Sequence, residues 1–133
     1  MVRSWTAQEQ RKMEAMIEQA MKDEAVGLST GLIYIPGTFA KTPEVSGLAK
    51  VAAKHKGVYA SHIRNEENNA IEAINIIKEA NIPVQISHFK ISGKANWGKS
   101  NITPGLVKKA REAGWDVTID QYPYTASSTN LGY

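Results

Sequence analysis

Four short apolar segments of one pattern recur along this chain. They are Val26-Gly27-Leu28-Ser29-Thr30, Val58-Tyr59-Ala60-Ser61-His62, Val84-Gln85-Ile86-Ser87-His88 and Val117-Thr118-Ile119-Asp120-Gln121. Each runs valine, any residue, a small or aliphatic residue, serine or aspartate, then a polar residue, at intervals of about 30 residues, the range in which repeats signal one supersecondary unit used several times. Each is short, contains β-branched residues and is bounded by Gly or Pro, which predicts a buried strand rather than a helix.

Amphipathic helical patterns separate these strands. Thr6 and Glu9 form a capping-box signature ahead of Met13, Met16, Ile17, Ala20 and Met21 on one face. Thr42-Pro43 reads as an N-cap and first-turn proline before Val45, Leu48, Ala49 and Ala52, with Gly57 as the stop. The stretch 65–81 carries Ala70, Ile71, Ile74, Ile77 and Ala80 and is ended by Pro83, and Thr103-Pro104 opens a last helix that Gly114 closes. Strands alternating with helices at this spacing predict an α/β fold with parallel pairing by right-handed crossovers. No Gly-x-Gly-x-x-Gly turn follows any strand, which speaks against a dinucleotide fold. A full (β/α)8 barrel takes about 250 residues, so four units in 133 residues predict about half of a TIM barrel, a single segment rather than a complete domain.

Composition narrows the function classes. Hydrophobic residues are 42% and charged residues 22%, ordinary globular values that exclude disordered and collagen-like classes. The 16 Lys+Arg and 13 Asp+Glu are scattered, so a net charge of +3 forms no basic run for nucleic acid. With no cysteine, the chain has no disulfide, thiolate zinc site or cysteine nucleophile of its own. No apolar stretch approaches a membrane span and the N-terminal residues lack a signal-peptide core, so a soluble, cytoplasmic protein is expected, with no membrane partner.

In parallel α/β folds the chemistry gathers at the carboxyl ends of strands. His62 and His88 fall there, at equivalent positions of consecutive units, and neighbouring parallel strands lie about 4.8 Å apart. Two imidazoles so placed can share a zinc ion, which takes about four ligands; they can equally be structural residues hydrogen-bonded at strand ends. His55, between Lys54 and Lys56 at a helix end, reads as a solvated residue favoured by the helix dipole. The run 90–100, with Lys90, Lys94, Lys99 and Trp97, reads either as a cap over an anionic substrate or as a solvated excursion. The run 120–129 reads either as the lining of a polar pocket or as Asp120 satisfying backbone donors beside packed tyrosines.

Several strings taken together resemble one family. Gly27-Leu28-Ser29-Thr30-Gly31-Leu32-Ile33-Tyr34, Ala60-Ser61-His62-Ile63-Arg64, Gln85-Ile86-Ser87-His88, Gly93-Lys94-Ala95-Asn96-Trp97-Gly98-Lys99 and Asp120-Gln121-Tyr122-Pro123-Tyr124-Thr125-Ala126 are similar to the N-acyl-D-amino-acid deacylases, or D-aminoacylases, of the metal-dependent amidohydrolase superfamily. The resemblance runs from about Thr6 over nearly the whole chain. It implies a zinc-bearing (β/α)8 barrel that hydrolyses N-acyl-D-amino acids, in which the strands seen here are the fourth to seventh. His62 and His88 then match metal-binding histidines, and Lys90, Tyr122, Arg64 and Ser128 match contacts to the substrate carboxylate. Asn65 stands where relatives often carry aspartate.

The family's His-x-His pair, cysteine ligand and catalytic aspartate have no counterpart in this sequence. The expectation is therefore a segment that is inactive alone, with the general base elsewhere, weak zinc binding, and edge strands that favour self-association. Two other readings stay open: a non-catalytic half-barrel module for binding or assembly, and a cyclic amidase of the hydantoinase or dihydroorotase type. The latter normally uses a carboxylated lysine from the fourth strand, and the strand starting at Val26 contains none.

Overall fold

The computed structural model describes residues 3–64, 70–90, 102–126, 128 and 129, together with Lys94 and Gly98. In chain order these form α1 (Ala7–Lys22), β1 (Gly27–Gly31), a 3-10 turn (Gly37–Phe39), α2 (Thr42–Lys54), β2 (Val58–His62), α3 (Ala70–Ala80), β3 (Val84–Ile86), α4 (Ile102–Glu112) and β4 (Val117–Ile119). The strands make one parallel sheet in the order β1-β2-β3-β4. Sequential order with every pair parallel means that each crossover turns the same way and lands its helix on the same face. A doubly wound sheet would reverse direction and place helices on both faces; this sheet is singly wound, as in a barrel wall.

Burial alternates accordingly. Tyr59 and Ser61 of β2 and Val84 and Ile86 of β3 face the helices and are buried, while Val58, Ala60 and Gln85 between them are more exposed. The core joins those strand residues to Ala49 and Ala52 of α2, Ile76 and Ile77 of α3, and Val107 and Ala110 of α4. Tyr59 is fully buried and its hydroxyl is paired with Thr30 Oγ1 at 2.7 Å, so the one polar atom it carries into the core keeps a partner. Burial pushes its phenol pKa up.

The helix starts obey local capping, with one shift. Thr6 Oγ1 accepts the Glu9 N–H and Glu9 Oε2 accepts the Thr6 N–H, completing the expected capping box of α1. In α2 the N-cap is Lys41 rather than Thr42, because Glu44 Oε2 accepts the Lys41 N–H at 2.7 Å while Glu44 Oε1 takes the N–H of Trp5. The carboxylate in the first turn outcompetes the threonine hydroxyl as organiser, and it also ties α1 to α2. At the other end the left-handed residue is Lys56 (φ 58°), not Gly57. Gly57 is needed for space: a Cβ there would lie 2.8 Å from Met21 Cε and 3.2 Å from Gly27 Cα, where β1, β2 and α1 converge. Gly114, past the end of α4, has φ 86° and ends the helix as expected.

β3 and β4 are shorter than the repeat pattern predicts. The ladder stops at Ile86, and two residues later His88 takes φ 52°, which turns the chain out of the sheet at its carboxyl end. Among the described residues no helix is long and apolar enough to cross a membrane.

Candidate functional site

The register of the sheet builds the site. Gly31 pairs with His62, so β1 and β2 end level, and Ser61 pairs with Ile86, which brings the residues after β3 beside His62. The Ser87 N–H donates to Ser61 O at 2.9 Å, and this bond holds the turn bearing His88 against β2. The two imidazole centroids lie 5.1 Å apart, edge to face at 71°. Two imidazoles on one tetrahedral zinc, with nitrogens about 2.1 Å from the ion and ring centres about 1.1 Å further back, place their centroids about 5.2 Å apart. The observed spacing fits a shared ion. Among the described residues no group of three or more His, Cys, Asp or Glu residues is placed to hold a metal.

Around this pair opens a cleft of about 730 Å³ lined by Tyr34, His62, His88, Lys90, Tyr122 and Ser128, with Ile33, Tyr124, Ala126 and Thr129 completing the wall. Tyr34 meets His62 edge-on at 5.2 Å, and its hydroxyl is 3.2 Å from Thr129 Oγ1, which links the loop after β1 to the run after β4. Tyr122 stands 6.3 Å from the His88 ring and stacks on Tyr124. Lys90 Nζ sits 5.7 Å from the Tyr122 ring centre, within cation–π range, and donates a long 3.5 Å bond to His88 O. One wall of the cleft therefore carries a cation beside a phenol, and the floor carries two imidazoles.

Five of the six residues expected at the site, namely His62, His88, Lys90, Tyr122 and Ser128, do line this one cleft. Arg64 does not. Its guanidinium donates to Glu72 Oε1 and Oε2 at 3.1 and 3.3 Å and to the carbonyls of Thr38 and Ala40, with a longer bond to Gly37 O. Arg64 lies two residues past His62, beyond the end of β2, so strand alternation no longer sets its direction, and Glu72 of α3 captures it. His55 lies apart from the cleft, 3.0 Å from Glu18 Oε2 at the end of α2. Asn65, Trp97 and Lys99 lie outside the described residues.

One cleft residue, Tyr34, carries no motif that marks it as a site residue. Tyr34 follows the end of β1, and the strand-end rule that found the histidines extends to it. Asp120, expected either to line a polar pocket or to satisfy backbone donors, does the second: its Oδ1 accepts the His88 N–H at 2.7 Å and its Oδ2 accepts Gln85 Nε2 at 2.7 Å. The His88 N–H bond, with help from Gln85, holds the Asp120 carboxyl below its ordinary pKa. A charge-assisted bond of this kind is worth about 1.5–3 kcal/mol, comparable to the roughly 1–2 kcal/mol that left-handed backbone costs a non-glycine residue such as His88.

The described residues thus form a singly wound parallel α/β sheet in which two imidazoles at its carboxyl end face a cleft that also carries a cation. No protein-family model matches the chain. It is 45% identical over 131 residues to an N-acyl-D-glutamate deacylase of Alcaligenes xylosoxydans xylosoxydans, covering 95% of this chain and 27% of that protein. The crystal structure of a D-aminoacylase, described as defining a novel subset of amidohydrolases, superposes with a TM-score of 0.88 at 38% identity, over 95% of this chain and 27% of the other. The N-acyl-D-glutamate deacylase of Bordetella bronchiseptica, solved with zinc and a phosphonate mimic of the tetrahedral intermediate, superposes with a TM-score of 0.87 at 39% identity, over 92% and 27%. The chain is thus homologous to the D-aminoacylases and N-acyl-D-glutamate deacylases, which are amidohydrolase enzymes, and spans about 27% of their length. Its four strands match part of their barrel.

Proposed function

We propose that this chain forms the part of a zinc-dependent N-acyl-D-amino-acid deacylase that supplies two metal ligands and the wall that receives the substrate carboxylate. The observation that carries the reading is the pair of imidazoles 5.1 Å apart at the carboxyl ends of adjacent parallel strands, opening on Lys90 and Tyr122. His62 and His88 would hold the ion. Zinc, when bound, polarises an amide carbonyl and lowers the pKa of a bound water toward about 7. The Lys90 ammonium and the Tyr122 hydroxyl would take the α-carboxylate, with the Ser128 hydroxyl on the same wall, and so fix which stereoisomer presents its amide to the histidines. Such positioning is worth several kcal/mol of the barrier. The carboxylate of Asp120 is turned to the His88 N–H and to Gln85, and in this reading the general base comes from residues beyond this set. β1 contains no lysine, which favours linear over cyclic amides.

The test is a chimera in which this chain replaces its matched stretch in the Alcaligenes N-acyl-D-glutamate deacylase. It is expected to bind zinc and to hydrolyse an N-acyl-D-amino acid while leaving the L form untouched, whereas the 133-residue chain alone binds zinc weakly and turns over neither. A folded chimera without zinc or activity sinks the proposal, and so does metal-dependent turnover by the chain alone.

We also propose self-association. Among the described residues β1 and β4 each pair on one side only, and parallel edges left open recruit partners. Sedimentation at micromolar concentration should give a species heavier than the 14.6 kDa chain; a clean monomer contradicts this.

A further inference from the structure

We propose that Asp120 is a positioning residue for His88: its carboxylate holds the turn after β3 in the one backbone conformation that aims the imidazole at His62. Three contacts from this single residue bracket the turn. The Asp120 N–H donates to Ile86 O at 3.2 Å, Asp120 O accepts the Phe89 N–H at 2.8 Å, and Oδ1 accepts the His88 N–H at 2.7 Å. The first two are backbone bonds that any residue can make. The third needs a side-chain acceptor of aspartate's length. It falls on the residue with φ 52°, whose ring lies 5.1 Å from that of His62 on β2.

The carboxylate is itself fixed. Oδ2 accepts Gln85 Nε2 at 2.7 Å, and Gln85 Oε1 accepts the Thr118 hydroxyl, which also reaches Val84 O at 3.4 Å. Thr118, Gln85 and Asp120 thus form a polar ladder on the sheet face opposite the helices, with Gln85 and Thr118 in register. The ladder transmits the position of β4 to a side chain on the end of β3. This inference rests on the proposed role of His62 and His88, but its geometry exists without metal.

Asp120→Ala and Asp120→Glu test it, the second keeping the charge while adding a methylene that misplaces the acceptor; Asp120→Asn is the rescue, since its amide oxygen can still accept the His88 N–H. In metal-free chain, NMR contacts between the His62 and His88 rings are expected to vanish in the Ala and Glu variants and persist in Asn, with core contacts of Tyr59 and Ile86 unchanged. Zinc titration followed at both rings should weaken by about 10- to 100-fold in Ala and Glu and by no more than about threefold in Asn. Ring contacts that persist in a folded Ala or Glu variant overturn the positioning role. Should Ala fail to fold, Glu is judged alone by the same contacts. A wild-type chain whose rings ignore zinc counts against the metal reading, and the metal-free contacts still decide the positioning claim.

Discussion

In the chimera that completes the barrel, His88→Ala is expected to reduce turnover by at least about three orders of magnitude and to lower zinc content. Metal assistance supplies several kcal/mol of transition-state stabilisation, and each 1.4 kcal/mol or so is a factor of ten. His62→Ala should cost as much, and the double variant little more, because two ligands of one ion act as a unit and their losses do not add. His62 is half-buried and His88 exposed, with neither in the core cluster, so circular dichroism and the unfolding midpoint should stay close to those of the parent. Turnover surviving in either variant with zinc retained would show that the imidazoles are packing residues and that the metal, if present, is held elsewhere.

The second large effect lies behind the cleft. Glu72→Ala is expected to destabilise the chain by about 3 kcal/mol, measured by urea unfolding, because breaking one side of a buried ion pair strands the other charge. The Arg64 and Glu72 side chains are only 21% and 11% exposed, so solvent does little to relieve the stranded guanidinium. Glu72 Oε1 also accepts the Thr42 hydroxyl at 2.8 Å, so the substitution loosens the start of α2 as well. Arg64 in turn grips carbonyls of the 37–40 loop, which follows Tyr34, and loss of that grip should broaden the Tyr34 contact with His62. The double variant Arg64→Leu with Glu72→Leu should recover much of the stability, since a well-packed apolar pair can replace a buried ion pair. A loss below about 1 kcal/mol in Glu72→Ala would place this pair with the weak surface bridges.

These two sites divide what is local from what is not. The nearness of His62 and His88 is only half written in the repeat: consecutive parallel strands bring both to one end of the sheet, but the register sets Ser61 against Ile86, so His88 falls one residue beyond the level of His62 and reaches it through its left-handed turn. Arg64 is different: it sits two residues past His62, and its partner Glu72 lies eight positions on, in a helix whose rotation about its own axis depends on packing. The shift of the α2 N-cap to Lys41 has a similar origin, since Glu44 also binds the N–H of Trp5, 39 residues away, and that bond forms only once α1 docks.

From its residues alone, this chain sets the alternation of strand and helix, the parallel sense of the sheet and the strand-end placement of both histidines, because period, capping and crossover handedness act over short stretches. Folding in three dimensions decided which cations reach the cleft and which are spent on structure, and it placed Asp120 under His88 across 32 residues of chain. Hydrogen bonds of that span depend on register and helix docking, which no local pattern encodes.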